Sequence, residues 1–102
     1  MLDKLQSLKE RFEEVAQLII LPDSMADMSK YAKLTKEYKD LEKIVSAYDD
    51  YVLVLKNIDS SKDMLEKEKD PEFREMAKAE LENLRDRKEV LEQELKQQLT
   101  PK

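Results

Sequence analysis

The chain has 102 residues, of which 42% are charged, and a formal net charge of −5. It contains no glycine, cysteine, histidine or tryptophan. This composition is typical of long helices and coiled coils, and it excludes disulfides, thiolate metal sites and a serine nucleophile activated by histidine. The acidic balance also disfavours a broad nucleic-acid-binding role, because phosphate binding depends on a basic surface.

The first predicted helix covers residues 2–20. Its large apolar residues fall on one helical stripe, namely Leu2, Leu5, Leu8, Phe12, Val15 and Ile19. Pro22 ends this helix, because proline lacks an N–H group and restricts the residue before it. Residues 23–28 are predicted to form a short connector, and Asp27 or Ser29 is suited to cap the next helix.

The second predicted helix covers residues 29–69 and organises the rest of the chain. Its apolar and aromatic residues recur at steps of three and four, at Tyr31, Leu34, Tyr38, Leu41, Val45, Tyr48, Val52 and Leu55. A mean step near 3.5 indicates a helix packed lengthwise on other helices. Asp59 and Lys62 then occupy positions where this stripe requires apolar residues, so the stripe weakens beyond Leu55. With a length of roughly 60 Å, the helix predicts a rod.

The third predicted helix covers residues 71–98 and begins with a clear start signal. Asp70 suits the N-cap, Pro71 the first helical position and Glu72 the positive end of the helix dipole. Its apolar residues are Phe73, Ala77, Leu81, Leu84, Leu91, Leu95 and Leu99. The three helices predict a single all-α domain over residues 1–102. We expect a three-helix antiparallel bundle that tapers to a long two-helix coiled-coil hairpin.

The residue types give no indication of catalysis. Carboxylates are numerous, but most fall away from the apolar stripes, and helical di-metal sites pair glutamate with histidine. No glycine-rich loop is present to cradle phosphates. The sequence therefore predicts no catalytic residue, cofactor, metal or small-molecule ligand. The longest apolar run, residues 18–21, is far shorter than the roughly 20 residues of a membrane span, so no membrane partner is expected.

Two surfaces are candidates for contacts with a partner. The first is the predicted hairpin tip, with Lys67, Lys69, Pro71 and Arg74. The second is the pair Leu53 and Val54, which the helical repeat places away from the main stripe. Both are predictions from position alone.

The sequence resembles the N-terminal domain of bacterial class I peptide chain release factors. Residues 70–81, Asp-Pro-Glu-Phe-Arg-Glu-Met-Ala-Lys-Ala-Glu-Leu, resemble the start of that domain's third helix. Residues 2–5 and 10–14 resemble its first helix, and residues 31–38 its second. Residues 99–102 are similar to the exit segment before the family's central domain. The resemblance runs from end to end and favours the type that reads UAA and UAG.

The resemblance implies that the chain is the first piece of a longer cytoplasmic factor that directs stop-codon-dependent release of the nascent peptide. Family members read the codon with a Pro-x-Thr loop and promote peptidyl-tRNA hydrolysis with a Gly-Gly-Gln loop. Neither loop is in this sequence, so the domain itself is expected to be an interaction module without enzyme activity. The implied partners are the stalk base of the large ribosomal subunit, the GTPase release factor and the rest of the same chain.

Three other interpretations stay open. A free-standing, self-associating coiled-coil scaffold would use Leu53, Val54 and Val90 as contacts, and its mass would be a multiple of 12.1 kDa. An RNA-gripping helical arm, like the hairpin that opens seryl-tRNA synthetases, would need a basic face. A ribosome-rescue relative is disfavoured, because short rescue factors consist mainly of the glycine-containing catalytic domain.

Overall fold

The computed structural model describes residues 1–100, and all of their regular secondary structure is helical. Four helices follow one another: α1 (Leu2–Ile19), α2 (Pro22–Ala26), α3 (Met28–Lys67) and α4 (Pro71–Leu99). The predicted all-α class is therefore confirmed for this part of the chain. The end of the predicted exit segment, Pro101 and Lys102, lies outside the described residues.

The chain divides into two compact units, Met1–Ser46 and a second that begins at Ala47. The first unit holds α1, α2 and the first part of α3. The second holds the rest of α3 and α4, which form a helical hairpin. The single domain of residues 1–102 and its taper from three helices to two stay predictions.

In the first unit, α1 packs against the first part of α3. Leu5 and Val15 of α1 are completely buried. The ring of Phe12 stacks on that of Tyr38, with centroids 4.8 Å apart and planes 29° apart. Stacked rings at this separation stabilise a contact beyond the area that they bury. These contacts fix the lengthwise register of α1 on α3.

The segment between α1 and α3 contains the short helix α2, where the sequence predicts a connector. Pro22 occupies the first turn of α2, where its missing N–H costs no intrahelical hydrogen bond. The same proline therefore stops α1 and starts α2. Asp27 caps α3, because its Oδ1 accepts the backbone N–H of Lys30 at 3.1 Å. Of the two predicted capping residues, Asp27 is the one used.

The buried stripe of α3 changes position along the helix. Up to Val45 the buried residues follow the predicted series and include Leu34 and Leu41. Beyond Val45, Tyr48 is still buried, but a series set one residue earlier takes over, with Ala47, Tyr51, Val54, Ile58 and Ser61. One residue corresponds to about 100° of rotation around a helix with 3.6 residues per turn. The second half of α3 therefore buries a different side of the helix.

This shift corrects several predictions. Val52 is 42% exposed, whereas Val54, predicted to lie away from the stripe, is only 8% exposed. Asp59 and Lys62 do not interrupt the stripe but lie exposed beside it. The physical reason is that each compact unit buries α3 in its own packing, so α3 does not need one continuous stripe.

The buried face of α4 follows the predicted spacing except at its first turn. Ala77, Leu81, Leu91 and Leu95 are buried. Phe73 is 53% exposed, although it lies on the same stripe. Side chains of a helix lean toward its N-terminus, so a first-turn side chain overhangs the start of the helix. Phe73 therefore lies on the apolar stripe of α4 but outside its buried part.

Ser24 on α2 is fully buried, and its Oγ has no hydrogen-bond partner among the described residues. We expect Ser24→Ala to raise the free energy of unfolding by about 1 kcal/mol, because a buried, unsatisfied hydroxyl is costly. Urea unfolding followed by circular dichroism measures this change. The exposed Ser60, whose hydroxyl donates to the carbonyl of Lys56, provides a control. Ser60→Ala should change stability by less than about 0.5 kcal/mol, and a loss of stability on Ser24→Ala would contradict the expectation.

Candidate interaction surface

The turn between α3 and α4 consists of residues 68–70 and is held by two carboxylates. Glu68 Oε1 accepts the backbone N–H groups of Lys69 at 3.1 Å and Asp70 at 3.0 Å. Asp70 Oδ1 accepts the backbone N–H of Glu72 at 2.9 Å, and Pro71 lies in the first turn of α4. The predicted helix start is therefore confirmed. No residue in the described chain has a positive φ angle, so this turn forms without glycine.

Arg74 does not face outward, as its predicted place at the tip implied. Its Nη1 donates to the backbone carbonyls of Leu65 and Glu68, the second at 3.0 Å. The last carbonyls of a helix have no intrahelical partner, and a cation near them also interacts favourably with the helix dipole. The half-buried Arg74 therefore fastens the first turn of α4 to the last turn of α3.

The other predicted tip residues are exposed. Lys67 forms an exposed ion pair with Asp63, four residues earlier, at 3.1 Å. Lys69 and Pro71 are also exposed, and Lys69 has no ion-pair partner among residues 1–100. An exposed pair of this kind contributes little to stability. The position of these three residues therefore allows contact with a partner.

The tip also has an apolar part, which was not predicted from the sequence. Phe73 and Met76, on the first turns of α4, are both more than half exposed. Because Arg74 holds this part of α4 against α3, their backbone positions are fixed. We use the term tip surface for Lys67, Lys69, Pro71, Phe73 and Met76. The sequence signal was the placement of two large apolar residues, three positions apart, within the first two turns after a predicted hairpin end.

The second predicted surface, formed by Leu53 and Val54, is only half exposed as predicted. Leu53 is exposed, but Val54 is buried in the stripe of the second unit. The neighbour that shares the exposed side with Leu53 is Val52. Val90 of α4, also considered for self-association, is exposed as well.

An ionic cluster ties α1 to α3 within the first unit. Arg11 donates from Nε and Nη2 to the two carboxylate oxygens of Glu37, at 2.5 and 3.0 Å, and Nη1 lies 3.0 Å from Glu14. The hydrogen bonds from Arg11 lower the pKa of Glu37 below its usual value. A bidentate pair of arginine and carboxylate fixes the relative orientation of the two side chains. Its contribution to stability is small, because solvent screens the attraction between charges as exposed as these. The cluster therefore orients α1 on α3.

A polar contact closes the edge of the second unit. The hydroxyl of the buried Tyr51 donates to Glu92 Oε2 at 3.2 Å. Burial raises the pKa of Tyr51, and the nearby carboxylate of Glu92 adds to the shift. The exposed pair of Arg87 and Asp50, 3.9 Å apart, also lies in this unit. The Tyr51 hydroxyl is thus used within the fold.

The side chains described above either lie exposed, where a partner could contact them, or hold neighbouring helices together. Among the residues that the structure describes, no group of three or more histidine, cysteine, aspartate or glutamate side chains is placed to hold a metal ion. None of the described helices has the length and apolar character that crossing a membrane requires. The described residues therefore define an all-helical, glycine-free class of protein whose hairpin tip is capped by its own side chains.

Comparison with known proteins shows which family this all-helical chain belongs to. The chain belongs to the PCRF domain family, whose model matches residues 8–102. It is 54% identical to the protein named Peptide chain release factor 1 of Cytophaga hutchinsonii, over all of this chain and 28% of the relative. It is 52% identical to the protein of that name in Parabacteroides distasonis, over 99% of this chain and 27% of the relative.

A third relative agrees with these two. The Peptide chain release factor 1 of Bacteroides fragilis is 48% identical, over 98% of this chain and 27% of the relative. The resemblance to release factors is therefore confirmed. The chain spans little more than a quarter of the length of these relatives. No solved structure matches it.

We expect Arg74→Met to lower the free energy of unfolding by about 1.5 kcal/mol, because two helix-end carbonyls lose a charged donor. Hydrogen exchange of the amides in residues 64–72 should also become faster than in the unaltered protein. Lys67→Met is the matched control, because it removes one exposed ion pair from the same tip and should cost less than about 0.5 kcal/mol. Equal effects of the two substitutions would contradict the capping role of Arg74.

Proposed function

We propose that residues 1–102 are the N-terminal interaction domain of a cytoplasmic class I peptide chain release factor, of the type that reads UAA and UAG. The observation that carries the proposal is the 54% identity to a Peptide chain release factor 1 over every residue of the chain. The match of residues 8–102 to the PCRF domain family agrees with it. The complete factor then acts in translation termination on the ribosome.

In this proposal the domain takes no part in the chemistry of peptide release. Stop-codon recognition and peptidyl-tRNA hydrolysis belong to the Pro-x-Thr and Gly-Gly-Gln loops of the longer protein. The composition supports this division, because residues 1–102 contain neither glycine nor histidine. The domain instead contributes binding energy at a distance from the reacting atoms.

The proposed partners of the domain are the stalk base of the large ribosomal subunit and the GTPase release factor. The tip surface supports a role in binding, because it combines the exposed cation Lys69 with the exposed apolar residues Phe73 and Met76. The hydrogen bonds of Arg74 and Asp70 hold the backbone beneath this surface in place. A surface that is ordered before binding loses less conformational entropy when the complex forms.

The alternative functions receive less support from the chain. Burial of Val54 removes one of the three contacts expected of a self-associating scaffold. The net charge of −5 weighs against an RNA-gripping arm, because such an arm depends on basic surface. Neither alternative explains the identity to release factors along the whole chain.

We expect Phe73→Glu combined with Met76→Glu, in the full-length factor, to weaken binding to ribosomes. The factor concentration that gives half-maximal peptide release should rise about tenfold, because two apolar contacts are replaced by charges that must be desolvated. The rate at saturating factor should stay within about twofold, because the change affects binding and not the reacting groups. Release of peptide from stop-codon-programmed ribosomes measures both quantities.

The matched control is Ala79→Glu combined with Asn83→Glu, which adds the same charge at exposed positions of the same helix. This control separates a specific contact from general repulsion by the anionic ribosome. An unchanged half-maximal concentration in the Phe73 and Met76 variant would contradict the role of the tip surface. A large fall in the saturating rate would contradict the division between binding and chemistry.

A further inference from the structure

The exposed apolar side chains of the first unit are concentrated where α1, α2 and α3 follow one another. Ile20, Leu21, Met25 and Met28 are 72%, 47%, 61% and 86% exposed. All four lie within residues 20–28, which run from the end of α1 through the short helix α2 to the first residue of α3, and the region between two long helices is ordinarily polar. We use the term corner patch for these four residues. A cluster of large apolar side chains left in water marks a contact site.

The methionines of the chain also point to contacts at this corner. The sequence has five methionines, and all five are among the exposed large apolar residues. Methionine is flexible and polarizable, which suits it to adaptable apolar interfaces. Two of the five, Met25 and Met28, belong to the corner patch.

The backbone holds the corner patch in a defined arrangement. The N–H groups of Ser24 and Met25 both donate to the carbonyl of Leu21 at 3.1 Å. Ser24 is completely buried and anchors α2 from the inside. Asp27 caps the following helix through the N–H of Lys30. The exposed side chains therefore project from a fixed backbone.

We propose that the corner patch is covered by the part of the longer protein that lies outside residues 1–102. The inference rests on the proposed function, in which this chain is 28% of a protein of the length of its relative. A stable complex between separate molecules uses roughly 20–30 residues on each side, far more than this patch offers. A covalently attached segment needs less surface, because the tether gives it a high effective concentration.

The charges at the corner define the chemistry of the covering segment. The carboxylates in residues 20–28 are those of Asp23 and Asp27, and no lysine or arginine lies among these residues. Asp27 already accepts a backbone hydrogen bond, whereas Asp23 is exposed. The covering segment therefore presents apolar side chains with a lysine or arginine opposite Asp23.

Methionine oxidation in the full-length protein tests this inference. Hydrogen peroxide is applied to the native and to the urea-denatured protein, and mass spectrometry gives the oxidation rate of each methionine. Met28 should react at least about fivefold more slowly in the native protein, although it is the most exposed methionine of residues 1–100. Met64 is the internal control, since it is also exposed and should differ by less than about twofold.

A pair of matched variants tests the contact itself. Met28→Glu should expose the corner and bring Met25 to its denatured oxidation rate, whereas Met64→Glu should leave Met25 protected. Oxidation of Met28 at the denatured rate in the native full-length protein would overturn the inference. Protection that disappears on dilution would also overturn it, because a second copy would then cover the patch.

The test separates this inference from the proposed function. The same preparation is assayed for peptide release from stop-codon-programmed ribosomes. Normal release with an unprotected Met28 would overturn only the inference about the corner patch. A native protein of 12.1 kDa that releases no peptide would overturn the proposed function and, with it, the covering segment.

Discussion

A single helix, α3, supplies buried side chains to both compact units, and both α1 and α4 make contacts with it. The chain has no proline between Pro22 and Pro71 and no glycine at all, so nothing interrupts the backbone from Met28 to Lys67. The helix meets two packing demands by changing which residues it buries. Leu34, Leu41 and Val45 serve the first unit, and the series set one residue earlier serves the second.

Because α3 is uninterrupted, its unpaired backbone N–H and C=O groups lie only at its two ends. Asp27 satisfies a backbone N–H at the start of α3, and Arg74 satisfies backbone carbonyls at its end. In many proteins a glycine at the helix end lets the backbone satisfy these groups, whereas here side chains satisfy them. The result is a fixed corner and a fixed tip, each presenting large apolar side chains to solvent. The two proposed contact surfaces are therefore consequences of how the ends of one helix are closed.

The features that could be predicted from the sequence are those with a local cause. The caps formed by Asp27 and Asp70 follow from chemistry within three residues of each helix start. The stripe beyond Val45 could not be predicted, because Val52 and Val54 are equally apolar and long-range packing decides between them. Arg74 looked like a surface cation for a similar reason, since its carbonyl partners lie six and nine residues earlier. Three of the four predicted tip residues are exposed, because a hairpin end is set by the turn itself.

The most direct test of the shifted stripe is a cysteine scan along α3, which the absence of native cysteine makes possible. Each residue from 46 to 62 is replaced in turn by cysteine, and its reaction rate with a maleimide is compared in native and denatured protein. We expect slow labelling at positions 47, 51, 54, 58 and 61 and fast labelling at 52, 59 and 62. Slow labelling at 52, 59 and 62, with fast labelling at 51, 54 and 58, would contradict the change of stripe.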